Sequence, residues 1–384
     1  MPTRRTFLSA AALGAASLAA APLVAQAQTS PGDVLPTRGP GAATPGPLPT
    51  NPGGSRKYRP TSRVGLGCAP IGNNWAVVTE EDAAATIEAA WDGGMRLFDT
   101  SPWYGLGRSE RRLGHVLGQK PREEYVISSK VGRLLTATQE TPKVGWKDPP
   151  PFDYRYDFSA AGTRRSVEDS LQRLGIDSLD IVLVHDLSPD NGDMGERWLE
   201  YFEQARTGAF PELTKMREEG LIKAWGMGVN TPDPAMRAIE VSDPDIFLLA
   251  CQYSLLDHER ALEHTFPHLA TRGISVIVGS PLLAGFLAGR DRYLYGSQPV
   301  PPDSEQKRAR AEEIVQSHGV DLRTVSLQFA NAPEVVSAIV PGSRNAEQVA
   351  ANVASMSVDI PAGVWSDLRA AGIITANAPV PGAA

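Results

Sequence analysis

The feature that most constrains the fold is a regular alternation of short apolar runs with segments of helical periodicity. The eight runs predicted as strands are Val64–Cys68, Met95–Asp99, Tyr125–Lys130, Leu179–His185, Ala224–Asn230, Ile246–Gln252, Ser275–Ser280 and Val336–Pro341. Helical patterns follow these runs, and glycines commonly mark where a helix ends before the next strand. Eight strands with crossover helices over about 300 residues predict an α/β fold, a single-domain (β/α)8 TIM barrel.

A doubly wound sheet is the main competing fold. That fold would place the pattern G-x-G-x-x-G directly after its first strand, where the glycines bring the backbone close to a pyrophosphate. The candidate stretches here read GLGCAP, GLGRSE and GMGVNT, and none of them completes the pattern. The sequence therefore favours the barrel.

The first 27 residues have the features of an export signal. The stretch TRRTFL at residues 3–8 is a twin-arginine pattern, followed by an Ala/Leu/Gly-rich run and then by Ala25-Gln26-Ala27. A charged start, an apolar run and a small-residue cleavage site in this order predict removal near Ala27. We therefore expect the twin-arginine export machinery as a partner and a periplasmic or secreted location. The apolar run is too short and too rich in Ala and Gly for stable membrane insertion.

The chain after the signal divides into a linker and one domain. Residues 28–57 are rich in Pro and Gly and nearly free of large apolar side chains, so we predict a disordered linker. The barrel is predicted to occupy residues 58–377. Because the chain carries 37 basic against 44 acidic residues and has no run of six like charges, a nucleic-acid partner is not expected.

Polar residues stand at the ends of most of the predicted strands. In a (β/α)8 barrel the strand ends and the loops after them build the active site. A ring of such groups behind apolar strands predicts a converging polar pocket, and Trp75 and Trp103, in loops after strand ends, are predicted to line it on the substrate side. The strand-end residues are Asp99, Lys130, His185, Asp186, Asn230, Gln252, Ser280 and the stretch 342–344.

The stretch FDTSPWYG at residues 98–105 suggests acid–base chemistry. Asp99 ends an apolar run and can supply the counter-charge that a buried Lys130 needs. A cationic lysine beside Tyr104 would lower the pKa of that phenol from about 10, and a tuned phenol can exchange a proton with a carbonyl oxygen. A neutral His185 would hold the same oxygen in place. We therefore predict a catalytic tetrad of Asp99, Tyr104, Lys130 and His185.

A histidine cluster and one long loop are the other features that bear on function. His258, His264 and His268 stand near Asp257 and Glu259, but Pro267 interrupts the helix that would align the histidines, so no metal site is predicted. The long segment 132–157 is predicted to be a loop that either closes over the substrate or packs on the barrel rim.

Several stretches resemble the aldo-keto reductase superfamily. They are FDTSPWYGLGRSERRLG, ISSKVGRLL, FDYRYDFSAAGTRRSVEDSLQRLGIDSLDIVLVHD, EEGLIKAWGMGVN, SPLLAGFLAG and VPGSRNAEQVAAN, and they span residues 59–356. The GRLL and FDYRYD segments are most similar to the branch of the sugar 1-dehydrogenases and pyridoxal 4-dehydrogenase.

The resemblance implies a nicotinamide cofactor lying extended over the barrel mouth and the tetrad named above. It implies that Asn230 and Gln252 bind the carboxamide, that Ser280, Leu282 and Gly285 flank the pyrophosphate, and that Gly342, Ser343, Arg344, Gln348 and Asn352 hold the adenosine end. Val229 and Gly279 depart from the family, which commonly has Ser and an aromatic residue there. The lone Arg344 suits a 2′-phosphate, so NADP(H) is favoured over NAD(H).

The predicted function is NAD(P)-dependent hydride transfer that interconverts an aldehyde or aldose with its alcohol or lactone partner. Two alternatives belong to other classes. A glycosidase would need two carboxylates across the mouth, but the seventh strand ends on Ser280 rather than on an acid. An exported nucleotide-binding barrel that acts as a sensor with little turnover stays open on the sequence alone.

Overall fold

The structure is a computed structural model that describes residues 46–53, 57–140, 142–294 and 299–382. The predicted signal peptide, residues 1–27, and most of the predicted linker lie outside the described residues.

Eight parallel strands form the centre of the molecule, and the predicted barrel is confirmed. In chain order the eight barrel strands and the two strands of a separate antiparallel hairpin, β4 and β5, are β1 Leu66–Gly67, β2 Leu97–Asp99, β3 Val126–Val131, β4 Arg133–Ala137, β5 Phe152–Tyr156, β6 Ile181–His185, β7 Ala224–Val229, β8 Ile246–Ala250, β9 Ser275–Gly279 and β10 Val336–Val340. The sheet has the order β1-β2-β3-β6-β7-β8-β9-β10. Parallel bridges from Val64 to Ile339 and from Gly67 to Gly342 bring the first and last strands together.

Helices surround the strands. They are α1 Glu80–Asp92, α2 Arg108–Leu117, α3 Ala160–Leu174, α4 Trp198–Thr207, α5 Ala209–Glu218, α6 Pro232–Val241, α7 Phe266–Thr271, α8 Pro302–Ser317, α9 Leu322–Asn331, α10 Ala346–Ser355 and α11 Ala362–Ala370. Thr79 caps the N-terminus of α1, since its Oγ1 accepts from the Asp82 amide at 3.0 Å.

The helical region around His264 and Pro267 consists of two short pieces. A π-helical turn at Ala261–Thr265 precedes α7, and Pro267 stands in the first turn of α7. Proline lacks an amide hydrogen and is therefore tolerated at a helix start, whereas inside a continuous helix it would break the hydrogen-bond ladder.

The segment predicted as a loop contains an antiparallel hairpin, so that prediction was wrong for its two arms. Strands β4 and β5 pair from Arg133 with Tyr156 to Ala137 with Phe152. Gly132 starts the hairpin at φ +111°, and a Cβ there would lie 2.2 Å from the ring of Phe158, so a side chain cannot replace it without displacing that ring. The hairpin carries Arg133 and the aromatic residues of β5 to the barrel mouth.

Two apolar layers hold the barrel together. Leu97, Leu183, Ile246 and Ile277 belong to a small buried cluster contributed by alternating strand positions inside the ring, and a larger cluster lies between the strands and the helices. Removing this much apolar surface from water is the main stabilising contribution to the fold. None of the helices in the described part of the chain has the length and apolar character of a membrane span.

Part of the predicted linker packs against the barrel. Asn51 Nδ2 donates to the carbonyl oxygens of Pro60 and Ser337, both at 2.7 Å. Thr50 and Ser62 form an antiparallel bridge. Ordered contacts with the barrel therefore begin before the predicted boundary at residue 58, through side-chain and backbone hydrogen bonds that composition does not reveal.

Candidate active site

A cavity of about 480 Å³ opens at the carboxyl ends of the strands. Asp99, Tyr104, Lys130 and His185 all line it, together with Trp75 and Trp103, so the structure brings the predicted tetrad and the two predicted substrate-pocket residues to one site. This is where a (β/α)8 barrel places its chemistry.

Asp99 and Lys130 form a buried ion pair at the floor of the cavity. Lys130 Nζ lies 2.8 Å from both carboxylate oxygens of Asp99 and 2.7 Å from the carbonyl oxygen of Thr100. The two side chains are only 1% and 4% exposed. Ser128 Oγ also donates to Asp99 Oδ1 at 2.9 Å. Asp99 is therefore the counter-charge of a lysine that water cannot reach, which explains an acid at the end of a buried strand.

Tyr104 lies between the lysine and the histidine. Lys130 Nζ is 4.7 Å from the centre of the phenol ring, and the His185 ring is 5.7 Å away and nearly perpendicular to it. Burial raises the pKa of Tyr104 well above its ordinary value of 10.0, and the carboxylates of Asp99 and Asp186 add to this. The net shift of this pKa is therefore opposite to the predicted lowering, because burial and the two carboxylates outweigh the effect of the neighbouring cations. The phenol is protonated and can act as a proton donor.

His185 is held as a neutral imidazole. Its Nδ1 atom lies 3.0 Å from Ser101 Oγ, and its Nε2 atom lies 3.4 Å from Asp186 Oδ2. Burial lowers the pKa of His185 well below 6.5, and the cations Arg133 and Lys130 lower it further. The neutral state matches the prediction. Ser101 was missed, although it stands two residues after Asp99 in the same stretch.

We expect the protein to lose stability as pH falls below about 6.5. The unfolded chain then binds a proton at His185 that the folded chain, with its lowered pKa, does not bind. One such proton gives a slope of up to ~1.4 kcal/mol per pH unit. Chemical denaturation of wild type and His185→Gln between pH 7 and 5 measures this, and the variant should show the flatter dependence. An identical slope in both proteins would contradict a neutral buried His185.

Arg133 is a cavity residue that the sequence analysis missed. Its Nη1 atom lies 3.1 Å from Asp186 Oδ2 and its Nη2 atom 3.3 Å from the Tyr156 hydroxyl. Its guanidinium carbon lies 4.8 Å from the Trp103 ring centre. Arg133 belongs to the GRLL segment that carries the family resemblance, but only the hairpin shows that this first residue of β4 reaches the barrel mouth.

The indoles of Trp75 and Trp103 occupy different parts of the cavity wall. Trp103 packs edge-on against Tyr154 and Trp146, at ring distances of 4.9 and 5.7 Å, close to the tetrad. The guanidinium carbon of Arg292 lies 4.4 Å from the Trp75 ring centre. Trp75 therefore lies beside the arginine-lined part of the cavity.

Most of the residues predicted to bind a cofactor line the same cavity. They are Asn230, Ser280, Leu282, Gly285, Gly342, Arg344, Gln348 and Asn352. Gln252 and Ser343 do not line it. Gln252 Nε2 donates to the carbonyl oxygen of Val229 at 3.2 Å. Ser343 is fully buried and its Oγ accepts from Asn352 Nδ2 at 3.2 Å. Gln252 and Ser343 therefore hydrogen-bond to residues of the cavity wall without lining the cavity themselves.

The extended part of the cavity is basic and fits a nucleotide. Arg290, Arg292 and Arg344 line it together. Burial lowers the pKa of Arg292, and the neighbouring cations Arg290 and Arg344 lower it further. A bound phosphate would relieve this repulsion and accept several guanidinium hydrogen bonds. Arg290 and Arg292 were missed because they lie in a loop after β9, 52 or more positions before Arg344 in the chain.

The acidic and imidazole groups around residues 257–268 do not form a metal centre. His258 is buried and its Nε2 atom accepts from the Thr375 amide at 3.2 Å, whereas His264 and His268 are exposed. Within the described ranges no group of three or more His, Cys, Asp or Glu side chains is placed to hold a metal ion.

A (β/α)8 barrel with a buried Asp–Lys pair, a protonated tyrosine, a neutral histidine and a basic cleft defines a nucleotide-dependent oxidoreductase. The model of the Aldo/keto reductase family matches residues 63–373. The chain belongs to this family.

Two curated relatives are similar over most of their length. The chain is 34% identical over 322 residues to D-threo-aldose 1-dehydrogenase from Pseudomonas sp, covering 81% of this chain and 94% of the relative. It is 37% identical over 328 residues to pyridoxal 4-dehydrogenase from Microbacterium luteolum, again covering 81% and 94%. The activity is thus NAD(P)-dependent oxidoreduction, and this function is favoured over a nucleotide-binding sensor with little turnover.

Solved structures agree on the fold. A glycerol dehydrogenase from Gluconobacter oxydans superposes with a TM-score of 0.59 at 22% identity, covering 80% of this chain and 92% of that one. An aldo/keto reductase from Klebsiella pneumoniae, solved in complex with NADP and acetate, gives 0.58 at 19% identity and covers 81% and 91%. At these identities the comparison shows the fold alone.

Proposed function

We propose that this oxidoreductase uses NADP(H) to interconvert an aldose or a related aldehyde with its lactone or alcohol partner. The observation that carries the proposal is the position of Tyr104, which lies against Lys130 and His185 in a cavity continuous with the arginine-lined cleft. The relatives that act on aldoses and on pyridoxal support an aldehyde or hemiacetal substrate.

The residues of this chain have separable tasks in the reaction. When bound, the nicotinamide supplies or accepts a hydride. In carbonyl reduction Tyr104 gives its phenolic proton to the oxygen, and in alcohol oxidation the phenolate takes it back. The neutral His185 Nε2 can donate a hydrogen bond to that oxygen and orient it. Lys130 lies 4.7 Å from the phenol ring and favours the phenolate as charge develops.

The basic cleft holds the nucleotide in this proposal. The side-chain amide of Asn230 would bind the carboxamide of the nicotinamide. In the structure its Nδ2 atom donates to Asp190 Oδ2 at 3.0 Å. Arg344, whose backbone amide donates to Gln348 Oε1 at 3.0 Å, is fixed at the start of α10, where the adenosine 2′-phosphate would bind. Three arginines in one cleft strengthen the preference for NADP(H) beyond what a single arginine allows.

We further propose that residues 1–27 direct export through the twin-arginine machinery and that the protein leaves the cytoplasm folded around its nucleotide. Free nicotinamide nucleotides are expected to be scarce outside the cytoplasm. A nucleotide held through successive turnovers would be regenerated in place, with oxidation of one substrate coupled to reduction of a second carbonyl.

We expect processed protein from a periplasmic fraction to release close to one NADP per chain on denaturation. Arg344→Gln, produced in parallel, should bind NADP about 10- to 100-fold more weakly in a fluorescence titration because it loses a charge-assisted contact to the phosphate. Its affinity for NAD should change little.

The controls separate the parts of this proposal. Arg165→Gln removes a cation that is 66% exposed on α3 and should leave both affinities unchanged. Arg4→Lys with Arg5→Lys should keep the chain in the cytoplasm. Equal loss of NADP and NAD affinity in Arg344→Gln would contradict the NADP preference, and a protein that binds neither nucleotide would contradict the oxidoreductase mechanism.

A further inference from the structure

The carboxylate of Asp186 lies in the cavity beside the tetrad and has no role in the mechanism above. Asp186 follows β6 directly and has φ +45°, a left-handed conformation that is uncommon for residues other than glycine. Its backbone is held in place, because its amide donates to Gly228 O and its carbonyl accepts from Asn191 Nδ2, each at 2.9 Å. Strained backbone of this kind persists where the surroundings over-determine it, and it is concentrated at functional sites.

One oxygen of this carboxylate is engaged and the other is not. Oδ2 lies 3.1 Å from Arg133 Nη1 and 3.4 Å from His185 Nε2. Within the described part of the chain, Oδ1 has no hydrogen-bond donor within reach, and the side chain is 19% exposed and lines the cavity. Asp186 therefore presents an acceptor to whatever occupies the space next to the imidazole.

Arg133 makes this acceptor rigid. Its side chain is only 4% exposed, and its guanidinium is packed against Trp103 and bonded to the Tyr156 hydroxyl. An arginine held in this way fixes the carboxylate orientation before a substrate arrives, and a pre-organised acceptor loses little conformational freedom on binding.

We propose that Asp186 is a specificity-determining residue that binds the hydroxyl on the carbon next to the reacting carbon, with Oδ1 as the acceptor. The inference rests on the proposed function, in which His185 Nε2 contacts the reacting oxygen. A vicinal hydroxyl lies about one hydrogen-bond length from that oxygen. The Asp186 carboxylate lines the same cavity beside the imidazole, with Oδ2 at 3.4 Å from Nε2, so its Oδ1 is the acceptor available to such a hydroxyl. The substrate class is thus α-hydroxy aldehydes, including aldoses.

An aldehyde without this hydroxyl should be a poor substrate. It would cover the carboxylate without donating a hydrogen bond, and sites built to bind a hydroxyl discriminate strongly against analogues that lack it. The reaction balances, since bound NADPH would supply the hydride for the carbonyl carbon and Tyr104 the proton for the oxygen, giving an alcohol and NADP⁺, and the Tyr104 phenolate would then regain a proton from water.

The test compares glycolaldehyde with acetaldehyde, which differ only by that hydroxyl. We expect wild type with saturating NADPH to show a kcat/KM ratio of about 100 in favour of glycolaldehyde. Asp186→Asn, which keeps the shape and removes the charge, should lower the ratio about ten-fold, mainly through KM for glycolaldehyde. Asp148→Asn is the matched control, since Asp148 is 73% exposed and pairs with Arg108, and it should leave the ratio unchanged.

The outcomes distinguish this inference from the function on which it rests. A wild-type ratio near one would overturn the role of Asp186 without needing any variant. Equal loss of activity on both aldehydes in Asp186→Asn would overturn it as well, while leaving the proposed function intact. Absence of NADPH oxidation with every aldehyde would overturn the proposed function and this inference together.

Discussion

Replacing Tyr104 with phenylalanine should lower kcat for carbonyl reduction about a thousand-fold. The variant keeps the ring that packs against Trp146 and under Lys130 and removes only the hydroxyl. Proton transfer by a positioned side chain contributes typically about 10²- to 10⁴-fold, and at neutral pH the raised pKa of Tyr104 keeps it in the donor form. Steady-state NADPH oxidation with a saturating aldehyde measures the loss.

Nucleotide binding provides the control for this variant. Tyr104→Phe should bind NADP with wild-type affinity, because the cleft that carries Arg344 and Asn230 does not depend on the phenol. Trp103→Phe is a second control, since it alters the cavity wall next to Tyr104 and keeps the phenol that donates the proton. Retention of more than about a tenth of wild-type kcat in Tyr104→Phe would show that another group donates the proton.

Replacing Lys130 with methionine should destabilise the protein by about 3–5 kcal/mol and abolish activity. The variant leaves the Asp99 carboxylate almost fully buried without its cation. The carbonyl of Thr100 loses the 2.7 Å bond from the same ammonium. Urea or guanidinium denaturation at pH 7 measures the free energy of unfolding, and a two-state transition is the condition for comparing values.

The matched variant removes both charges. Lys130→Met combined with Asp99→Asn should recover much of the lost stability, because a neutral amide in the same place costs far less to bury than an unpaired carboxylate. The double variant should stay inactive, since Tyr104 loses the ammonium that lies against its ring. Additive losses in the two single variants and the double variant would contradict the coupling of this pair.

The protonation states of Tyr104 and His185 are set by burial and by the charges around them. A cationic lysine near a phenol normally lowers its pKa, yet the pKa of Tyr104 is raised, because burial excludes water from the phenol and the carboxylates of Asp99 and Asp186 disfavour a second negative charge. His185 is neutral for the same reason, since burial and the cations Arg133 and Lys130 disfavour another positive charge. Local sequence gives the identity of these groups but not the number of charges around them.

The barrel and the tetrad were predictable because their signals are local. Alternating apolar runs and helical periods specify each strand and helix, and a parallel barrel then brings every strand end to one mouth, so Asp99, Lys130 and His185 must meet there. The position of Tyr104 follows from its short distance in sequence from Asp99. No long-range packing information is needed for these conclusions.

Only the tertiary structure showed the other residues of the site. Arg133 enters the cavity because a hairpin folds back over the barrel mouth, and Arg290 and Arg292 join Arg344 because separate loops converge. Asp186 becomes a fixed acceptor through an arginine 53 positions away in the chain. These placements depend on how loops pack on one another, which no periodicity encodes. Local patterns in the chain therefore specify the fold and the reacting groups. The packing of the loops sets the burial and the neighbouring charges that govern protonation of these groups, and it shapes the part of the site that selects the substrate.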